Sequence, residues 1–253
     1  MTAPLRVIDT GLNPACWNIA VTAALSELHL DGGLEDTLRL HRYEKSVLLG
    51  RHQQLGQAVD RDFCLRHGIE IARRITGGGA VYMSPGVLAW DLVIARDRAA
   101  SLEEVSARIG GAIAGALAGC GLAACFRPPG DVVVGDRKIS GSAGWHDGGS
   151  LIHQGTVLVE ADLEEMAKAL RIATAGIMTL ADWAATMPRM DEVADAVTQA
   201  IARALSRQPR LDRLSRPEAG LASKLLAEEI GTEEFIEGDA ASRPSAAPAS
   251  LPA

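Results

Sequence analysis

The sequence predicts an α/β (α+β) fold in which mixed β-sheets are flanked by helices. Short apolar runs typical of strands are interleaved with amphipathic segments, but the two do not follow a strict β-α-β order. Several neighbouring strand candidates are joined by short glycine-containing links that are typical of hairpins. The 253 residues are 47% hydrophobic and 23% charged, which is the balance of a globular protein and excludes a fibrous or disordered chain.

The first half of the chain is predicted to contain two helices among short strands. Residues 5–9 form an apolar run, and we expect an edge strand there. A helix is predicted over residues 13–29, because Pro14 suits the first helical position and Asn13 suits the cap. The remaining predictions in this half are a short helix over residues 60–67 and strands over residues 37–43, 46–50, 69–73 and 88–95.

The second half begins with a helix over residues 101–119, because Ser101 and Glu104 form the Ser-x-x-Glu pattern of a capping box. Gly135-Asp136 lies between two strand-like runs and predicts a hairpin. Asp162 is predicted to cap another helix. The remaining predictions are strands over residues 131–134, 137–143 and 151–160, a helix over residues 190–205, and helical structure within residues 220–229.

The chain divides by composition near its carboxyl end. Residues 1–208 are predicted to form one domain, because no linker interrupts them. Residues 209–238 are predicted to be a short C-terminal appendage. Residues 239–253 are rich in Ala, Ser and Pro, which cannot bury a core, and we expect a disordered tail there.

The charge and the cysteines exclude several classes of function. Lys and Arg number 25 against 32 Asp and Glu, and a net charge of −7 is unsuited to sequence-independent binding of nucleic acid. The four cysteines show neither CxxC spacing nor a Cys/His cluster, so no metal site or disulfide framework is predicted. No apolar run is long enough to span a bilayer, and the first residues lack the layout of a signal peptide. We therefore expect a cytoplasmic protein with no nucleic-acid or membrane partner.

A glycine-rich segment, Arg-Arg-Ile-Thr-Gly-Gly-Gly-Ala-Val-Tyr at residues 73–82, is the first candidate binding site. Consecutive glycines at residues 77–79 let the main chain approach a ligand and free its N–H groups for anionic oxygens. Arg73 and Arg74 add permanent positive charge for a phosphate or a carboxylate. The segment matches neither GxGxxG before a helix nor GxxxxGK[ST], and the glycines alone favour a tight turn with surface arginines.

Lys138 is the second candidate. It begins a strand in which Ser140, Gly141 and Ser142 leave room beside it. A lysine in a confined site can hold a carboxylate and then stabilise the negative oxygen of an acyl-transfer transition state. When this segment is taken alone, a solvated lysine on a hairpin is the favoured interpretation.

The two segments together resemble the lipoate–protein ligase A family. The pattern Arg-Arg-x-Thr-Gly-Gly-Gly-Ala-Val-Tyr is followed by Asp-x-x-x-x-Asp-x-Lys-Ile-x-Gly-Ser-Ala. Smaller matches lie in order around them, at residues 18–20, 47–53, 153–156 and 180–183. The resemblance covers about residues 5–206, and it implies the catalytic fold that this family shares with biotin ligases and octanoyltransferases.

The resemblance implies a two-step reaction carried out by residues 1–208. Lipoate is activated by ATP with Mg²⁺ to lipoyl-AMP, and the acyl group then passes to a lysine of a lipoyl-carrier domain, which is the implied protein partner. Lys138 is the implied catalytic residue, and it contacts the carboxylate and later the acyl–phosphate linkage. The other implied substrate- and nucleotide-binding residues are Arg74, Gly77, Gly78, Gly79, Ala80, Val81, Tyr82, Ser142 and Ala143, and no metal site in the protein is implied.

Several features depart from the family pattern. Residues 83–87 replace the usual His-Asp-x-Gly-Asn, Thr22 stands where the first helix usually carries an Asp, and Gln154 stands where a second His is frequent. Residues 209–238 resemble only the beginning of the family's accessory domain. We therefore expect the activation step to need either a separate partner protein or a compact substitute within this appendage.

Three alternative functions remain open. An octanoyltransferase of lipoate synthesis shares the fold but keeps a catalytic cysteine in or after the lysine segment. No cysteine follows Cys125 here, and we expect Cys120 and Cys125 to be packed. A biotin ligase would carry Gly-Arg-Gly-Arg, which is absent. The third alternative is a binding-only homologue or the catalytic subunit of a split ligase.

His153 has two interpretations that the sequence leaves open. It follows Leu151 and Ile152 in a predicted strand and precedes Gln154. We expect it either to face the ligand pocket or to be a hydrogen-bonded strand residue.

Overall fold

The structure is a computed structural model that describes residues 3–97, 100–119, 121–183 and 188–238. The strands are β1 (Pro4–Asn13), β2 (Thr37–Tyr43), β3 (Ser46–Leu49), β4 (Glu70–Arg73), β5 (Val81–Met83), β6 (Val87–Ala95), β7 (Ala124–Arg127), β8 (Asp131–Val134), β9 (Arg137–Asp147), β10 (Ser150–Leu158) and β11 (Gln208–Asp212). The helices are α1 (Ala15–Leu30), α2 (Leu55–Ala58), α3 (Arg61–Arg66), α4 (Leu102–Gly119), α5 (Leu163–Leu170), α6 (Met190–Ala204), α7 (Arg216–Leu225) and α8 (Glu233–Glu237), with a π-helical turn at Leu226–Ile230.

Two mixed sheets form the centre of the molecule. The larger sheet has eight strands in the order β11-β1-β2-β6-β10-β9-β8-β7. In it β1 runs parallel to both β11 and β2, and the other neighbours are antiparallel. The smaller sheet has the order β4-β3-β5, with β3 parallel to β4 and antiparallel to β5. These mixed sheets with flanking helices confirm the predicted fold class.

Two apolar cores lie on opposite faces of the larger sheet. Along β6, Ala89 and Val93 point into the core shared with α1 and the smaller sheet. The alternate residues Leu88, Trp90 and Leu92 point into the core shared with α4 and α6. β6 therefore packs on both faces, which explains why its sequence is apolar apart from Asp91.

Helix α1 is capped from a distance rather than by its own neighbours. Pro14 occupies the cap position and has no side-chain acceptor. The carboxylate of Glu70 instead accepts hydrogen bonds from the backbone N–H groups of Ala15, at 2.7 Å, and Cys16, at 2.9 Å. Asn13, the predicted cap, donates its side-chain amide to the carbonyl of Thr10. The prediction of an Asn13 cap was therefore wrong. The helix amino end is capped instead by the carboxylate of Glu70, which lies in β4 and is distant in the sequence.

β1 and β11 differ from the sequence prediction at the edge of the larger sheet. The strand predicted over residues 5–9 extends over residues 4–13, and β11 pairs with it on the outer side. The prediction that this strand is an edge was therefore wrong. β11 also crosses the predicted boundary between residues 208 and 209, so the division into a domain and an appendage stays a prediction.

The C-terminal helices pack on α1. Ala222 in α7 and Ile230 in the π-helical turn belong to the same core as the buried face of α1. Arg6 in β1, only 4% exposed, donates to both carboxylate oxygens of Glu218 at 2.5 and 2.9 Å, and to Asp212 at 2.9 Å. This buried ion pair fastens the start of α7 to the larger sheet.

Two predictions concern residues beyond this description. The tail predicted over residues 239–253 lies outside the described residues, and so does Cys120. Among the residues that are described, no helix combines the length and the apolar content needed to cross a membrane.

Candidate functional site

The glycine loop connects β4 to β5 and is held by Arg74. The guanidinium of Arg74 donates to the carbonyl of Leu48 at 2.9 Å, and its Nη2 donates to the carbonyls of Gly77 and Gly79 at 2.7 Å each. Burial lowers the pKa of Arg74 to about 10, so the group stays charged at neutral pH. Gly77 and Gly79 turn their carbonyls to Arg74, and none of the three glycines donates its backbone N–H to an acceptor in the described part of the chain. The loop therefore presents N–H groups beside a buried cation.

Two of the glycines in this region are required by the backbone geometry. Gly78 has a φ of +94°, and a Cβ at Gly50, just after β3, would lie 2.0 Å from the carbonyl oxygen of Gly78. No side chain fits into that second contact. The end of β3 thus presses directly against the loop, and Gly50 is a structural residue of the site that the sequence analysis included only as part of a longer match.

Lys138 lies near the start of β9 and is anchored by Asp131. Its Nζ is 2.6 Å from Oδ1 of Asp131, which is paired with Gly141 across β8 and β9. A Cβ at Gly141 would lie 2.7 Å from that Nζ, so the lysine folds back across a residue that has no side chain. The Lys138 side chain is 39% exposed. It is held in place and still open to a ligand.

The glycine loop and β9 meet at Ala143. A Cβ built at Gly78 would lie 4.0 Å from the Cβ of Ala143, so the loop passes close to β9 at this residue. Gly141, which the Lys138 side chain crosses, is two residues before Ala143 and on the same face of the strand. The structure thus brings together the two motifs that are distant in sequence, and the roles of their residues stay predictions.

Other predicted site residues lie nearby with their side chains engaged elsewhere. The hydroxyl of Ser142 donates to the carbonyl of Gly130 at 3.1 Å and ties the start of β8 to β9. Tyr82 is 3% exposed, and its hydroxyl donates to Glu165 in α5 at 2.6 Å. Only the backbone of Tyr82 is therefore available to a ligand at the loop. Ala80 and Val81 are half-buried at the start of β5.

Arg73 points to the opposite side of β4 from Arg74 and holds the C-terminal residues. Its guanidinium donates to the carbonyls of Gly50 and Gln53, at 2.9 and 2.8 Å, and to those of Phe235 and Ile236, both at 2.9 Å. The end of α8 and the segment after β3 are therefore joined through one buried side chain. The sequence predicted a ligand-binding charge at this position and gave no sign of this contact.

A buried polar network, which the sequence analysis missed, lies behind the loop. Oδ1 of Asp91 accepts from Nε2 of Gln154 at 2.6 Å, and Oδ2 accepts from the hydroxyl of Thr22 at 2.7 Å and from Arg39 at 3.2 Å. Oε1 of Gln154 accepts from the hydroxyl of Thr76 at 2.8 Å. The available signal was Asp91, the one charged residue inside the otherwise apolar strand β6.

His41 and His153 are buried without hydrogen-bond partners. They are 1% and 0% exposed, and neither ring has a partner among the described residues. Burial lowers the pKa of His41 to about 3 and that of His153 to about 4. The ring of His153 stacks on Trp90, on the face of β10 opposite to Gln154. His153 therefore has no hydrogen bond among the described residues, so the interpretation as a hydrogen-bonded strand residue was wrong, and the interpretation that it faces the ligand pocket stays a prediction.

Acid is expected to destabilise the protein through these two histidines. In the unfolded chain each binds a proton near its ordinary pKa of about 6.5, whereas the folded state binds none until the pH is far lower. Stability is therefore full above pH 6.5 and falls as the pH drops toward 4. Urea midpoints at pH 7 and pH 4.5 measure this loss. His153→Phe should reduce it, and the exposed His52→Asn should not; an equal loss in all three proteins would contradict the assignment.

The cysteines of the described chain lie in different environments. Cys16 and Cys64 are free, and burial raises the pKa of their thiols to about 12 and 11. Cys125 lies on β7 and is exposed, so the prediction that it is packed was wrong. The reason is that β7 is the edge strand of the larger sheet and leaves one of its faces uncovered.

A glycine loop that offers N–H groups, beside a buried arginine and an anchored lysine, defines a site for an anionic group such as a phosphate or an acyl carboxylate. The mixed-sheet fold places that site on the α1 face of the larger sheet. The chain belongs to the family described as the lipoyl protein ligase A/B catalytic domain, whose model matches residues 14–202.

Relatives within this family have two different activities in their names. The chain is 28% identical to lipoate-protein ligase A subunit 1 of Thermoplasma acidophilum, over 81% of this chain and 86% of the relative. It is 27% identical to octanoyltransferase LipM of Moorella thermoacetica, over 68% of this chain and 71% of that relative.

Solved structures agree with this family. A lipoate-protein ligase A bound with ATP is 26% identical, with a TM-score of 0.84 over 94% of this chain and 99% of the other. A structure of the bi-partite lipoate protein ligase and its E2 lipoyl domain from T. acidophilum is also 26% identical, with a TM-score of 0.81 over 98% of this chain and 100% of the chain it matches.

Proposed function

We propose that this chain is the catalytic part of a lipoate–protein ligase, which activates lipoate with ATP to lipoyl-AMP and transfers the acyl group to a lysine of a lipoyl-carrier domain. The observation that carries the proposal is the meeting of the glycine loop with the Lys138 strand at Ala143. The family membership and the ATP-bound relative support it.

The residues around the loop suit an anionic adenylate. The N–H groups of Gly77, Gly78 and Gly79 are unused by the described chain, and Arg74 adds a buried positive charge directly behind them. ATP would supply an adenylyl group: the lipoate carboxylate attacks the α-phosphorus, lipoyl-AMP forms and pyrophosphate leaves. Mg²⁺ is expected to arrive on the phosphates of ATP, because this ion is usually held by substrate phosphates together with one or two carboxylates.

Lys138 is positioned to act on the acyl group. During transfer, the amine of the carrier lysine attacks the acyl carbonyl of lipoyl-AMP, an amide forms, the acyl–phosphate bond breaks and AMP leaves. Negative charge gathers on the carbonyl and phosphate oxygens in this step. The ammonium of Lys138, held by Asp131 at 2.6 Å, would stabilise that charge without having to be reorganised.

A self-sufficient enzyme and one component of a split ligase are both consistent with this site. The split ligase is supported by one comparison: the chain matches 86% of the length of a relative that is named as subunit 1. For that candidate, transfer resides in this chain and activation needs a partner protein.

Octanoyl transfer through a cysteine is the less favoured function. It requires a reactive thiolate, and burial keeps Cys16 and Cys64 protonated at neutral pH. Cys125 is exposed but lies on β7, two strands away from Lys138 in β9. Because one relative is named octanoyltransferase LipM, the experiment that tests the proposal also includes octanoyl-carrier protein as a donor.

Mass spectrometry of a lipoyl-carrier domain tests the proposal. The purified chain is incubated with the carrier domain and one of three donors: ATP, Mg²⁺ and lipoate; lipoyl-AMP; or octanoyl-carrier protein. We expect lipoyl-AMP to modify the carrier domain whether the chain is self-sufficient or one component of a split ligase. ATP and lipoate should modify it only if the chain is self-sufficient. Modification by octanoyl-carrier protein alone would replace the proposal with the transferase, and no modification by any donor would overturn catalysis altogether.

A further inference from the structure

A continuous line of hydrogen bonds joins Asp91 in β6, Gln154 in β10 and Thr76. Thr76 lies in the glycine loop, just before its three glycines. The carboxylate of Asp91 accepts from Gln154 at 2.6 Å, and Gln154 accepts from Thr76 at 2.8 Å. Asp91 and Thr76 are each 1% exposed. Gln154, between them, is half-buried, so the line runs from the interior of the protein to the loop.

The direction of every bond in this line is determined by Asp91. Its carboxylate accepts hydrogen bonds from Arg39 and Thr22, and the NH₂ group of Gln154 is turned toward it as a third donor. The amide oxygen of Gln154 then faces Thr76 and can only accept, so the Thr76 hydroxyl must donate. Arg39 and Thr22 donate to the other oxygen of Asp91 and fix the carboxylate itself.

The loop needs such an anchor because glycines have no side chains with which to hold their own conformation. Arg74 holds the carbonyls of Gly77 and Gly79, and Gly50 presses on Gly78. Thr76 supplies the attachment at the amino end of the loop, and its carbonyl also accepts from the backbone N–H of Arg51 at 2.9 Å. Losing the Thr76 hydroxyl bond would release that end from the larger sheet.

We propose that Asp91 and Gln154 are positioning residues that act through Thr76 to hold the glycine loop in the conformation that binds the acyl-adenylate. This inference rests on the proposed function for the identity of the ligand. The positioning of the loop itself is a property of the chain that can be measured without ligand.

Thr76→Val is the first test, because valine keeps the shape of threonine and removes only the donor. Thr76→Ser keeps the donor and should restore wild-type behaviour. Thr198→Val is the matched control: Thr198 is buried in α6, and its hydroxyl has no partner among the described residues. Gln154→Leu removes the side-chain amide that links Thr76 to Asp91 and so breaks the same line at its middle residue.

Two readouts are needed. Amide hydrogen exchange at Arg51, whose backbone N–H donates to the carbonyl of Thr76, is expected to accelerate about tenfold in Thr76→Val and Gln154→Leu, and to stay unchanged in Thr76→Ser and Thr198→Val. Equilibrium binding of lipoyl-AMP is expected to weaken about tenfold in the same two variants, while kcat for transfer from saturating lipoyl-AMP changes less than about twofold.

The readouts separate the possible failures. Unchanged exchange in Thr76→Val and Gln154→Leu would overturn the positioning role, whatever the ligand. Accelerated exchange with unchanged lipoyl-AMP affinity would also overturn the proposal, because the conformation of the loop would then have no effect on binding of the acyl-adenylate. If the wild type does not bind lipoyl-AMP at all, the proposed function fails and with it the identity of the ligand, while the exchange data still decide whether the line holds the loop.

Discussion

Replacing Lys138 with alanine is expected to slow acyl transfer by about 10²–10³-fold and to leave the protein folded. The substitution removes the ammonium that stands where negative charge develops, and the loss of one such group costs about 10²–10³-fold in kcat. The side chain is 39% exposed, and its ion pair with Asp131 is half-open to solvent, so its contribution to stability is below about 1 kcal/mol. The rate of carrier modification from lipoyl-AMP and the urea midpoint measure the two effects separately.

The controls for Lys138→Ala distinguish catalysis from anchoring. Lys168→Ala removes another lysine that is paired with a carboxylate, Glu164, on the exposed surface of α5, and it should not change the rate. Asp131→Asn keeps the ammonium and loosens its anchor, so we expect a much smaller loss than in Lys138→Ala. Normal transfer by Lys138→Ala would remove this residue from the reaction. An equal loss in Asp131→Asn would make the ion pair, rather than the ammonium, the important feature.

Replacing Asp91 with alanine is expected to destabilise the fold by about 3–5 kcal/mol. Arg39 is 0% exposed, and Asp91 is the carboxylate that contacts its guanidinium, at 3.2 Å. Burial by itself lowers the pKa of Arg39, and the charge of Asp91 opposes that shift. Without Asp91, a full positive charge is left in the protein interior. The free energy of unfolding from urea titration, with the carrier assay alongside, measures the outcome.

A second substitution shows whether the uncompensated charge is the cause. Combining Arg39→Met with Asp91→Asn removes the charge and its counter-ion together, and this double variant should be more stable than Asp91→Asn alone. The exposed pair Arg210–Glu35 provides the control, since Glu35→Ala should change stability by less than about 1 kcal/mol. A loss at Asp91→Ala as small as that at Glu35→Ala would contradict the argument.

The elements that the sequence predicted well are those with local signals. The helix of residues 102–119 follows a capping box in which Ser101 and Glu104 exchange hydrogen bonds, as the spacing indicates. Asp60 and Asp162 cap α3 and α5 through their own side chains. In each case the donor and the acceptor lie within three residues of one another, so the pattern is visible in a single stretch of sequence.

The features that the sequence did not predict depend on contacts between distant residues. The cap of α1 comes from Glu70, and β11 is a strand only because β1 lies beside it. Neither partner can be recognised without the fold. The short β5 was missed for the same reason, because its residues become a strand by pairing with β3.

The candidate site was predicted in its motifs and not in its internal contacts. The glycine loop and Lys138 were identified from residue types whose chemistry is recognisable in isolation. Arg74 was expected to hold a phosphate. In the structure its guanidinium also donates to the carbonyls of Gly77 and Gly79 and so holds the loop. The line from Asp91 to Thr76 could not be predicted, because it joins three segments whose order in the sheet is set by the whole fold.

The contact between Arg73 and α8 decides where this chain can be cut. A fragment ending at residue 208 would leave the Arg73 guanidinium without the carbonyls of Phe235 and Ile236, and Arg6 without Glu218. Both cations would then lose these partners, and the core around α1 would lose Ala222 and Ile230. Expression fragments for crystallisation or labelling should therefore extend at least to Gly238, and fusion partners belong beyond that residue rather than at the compositional boundary.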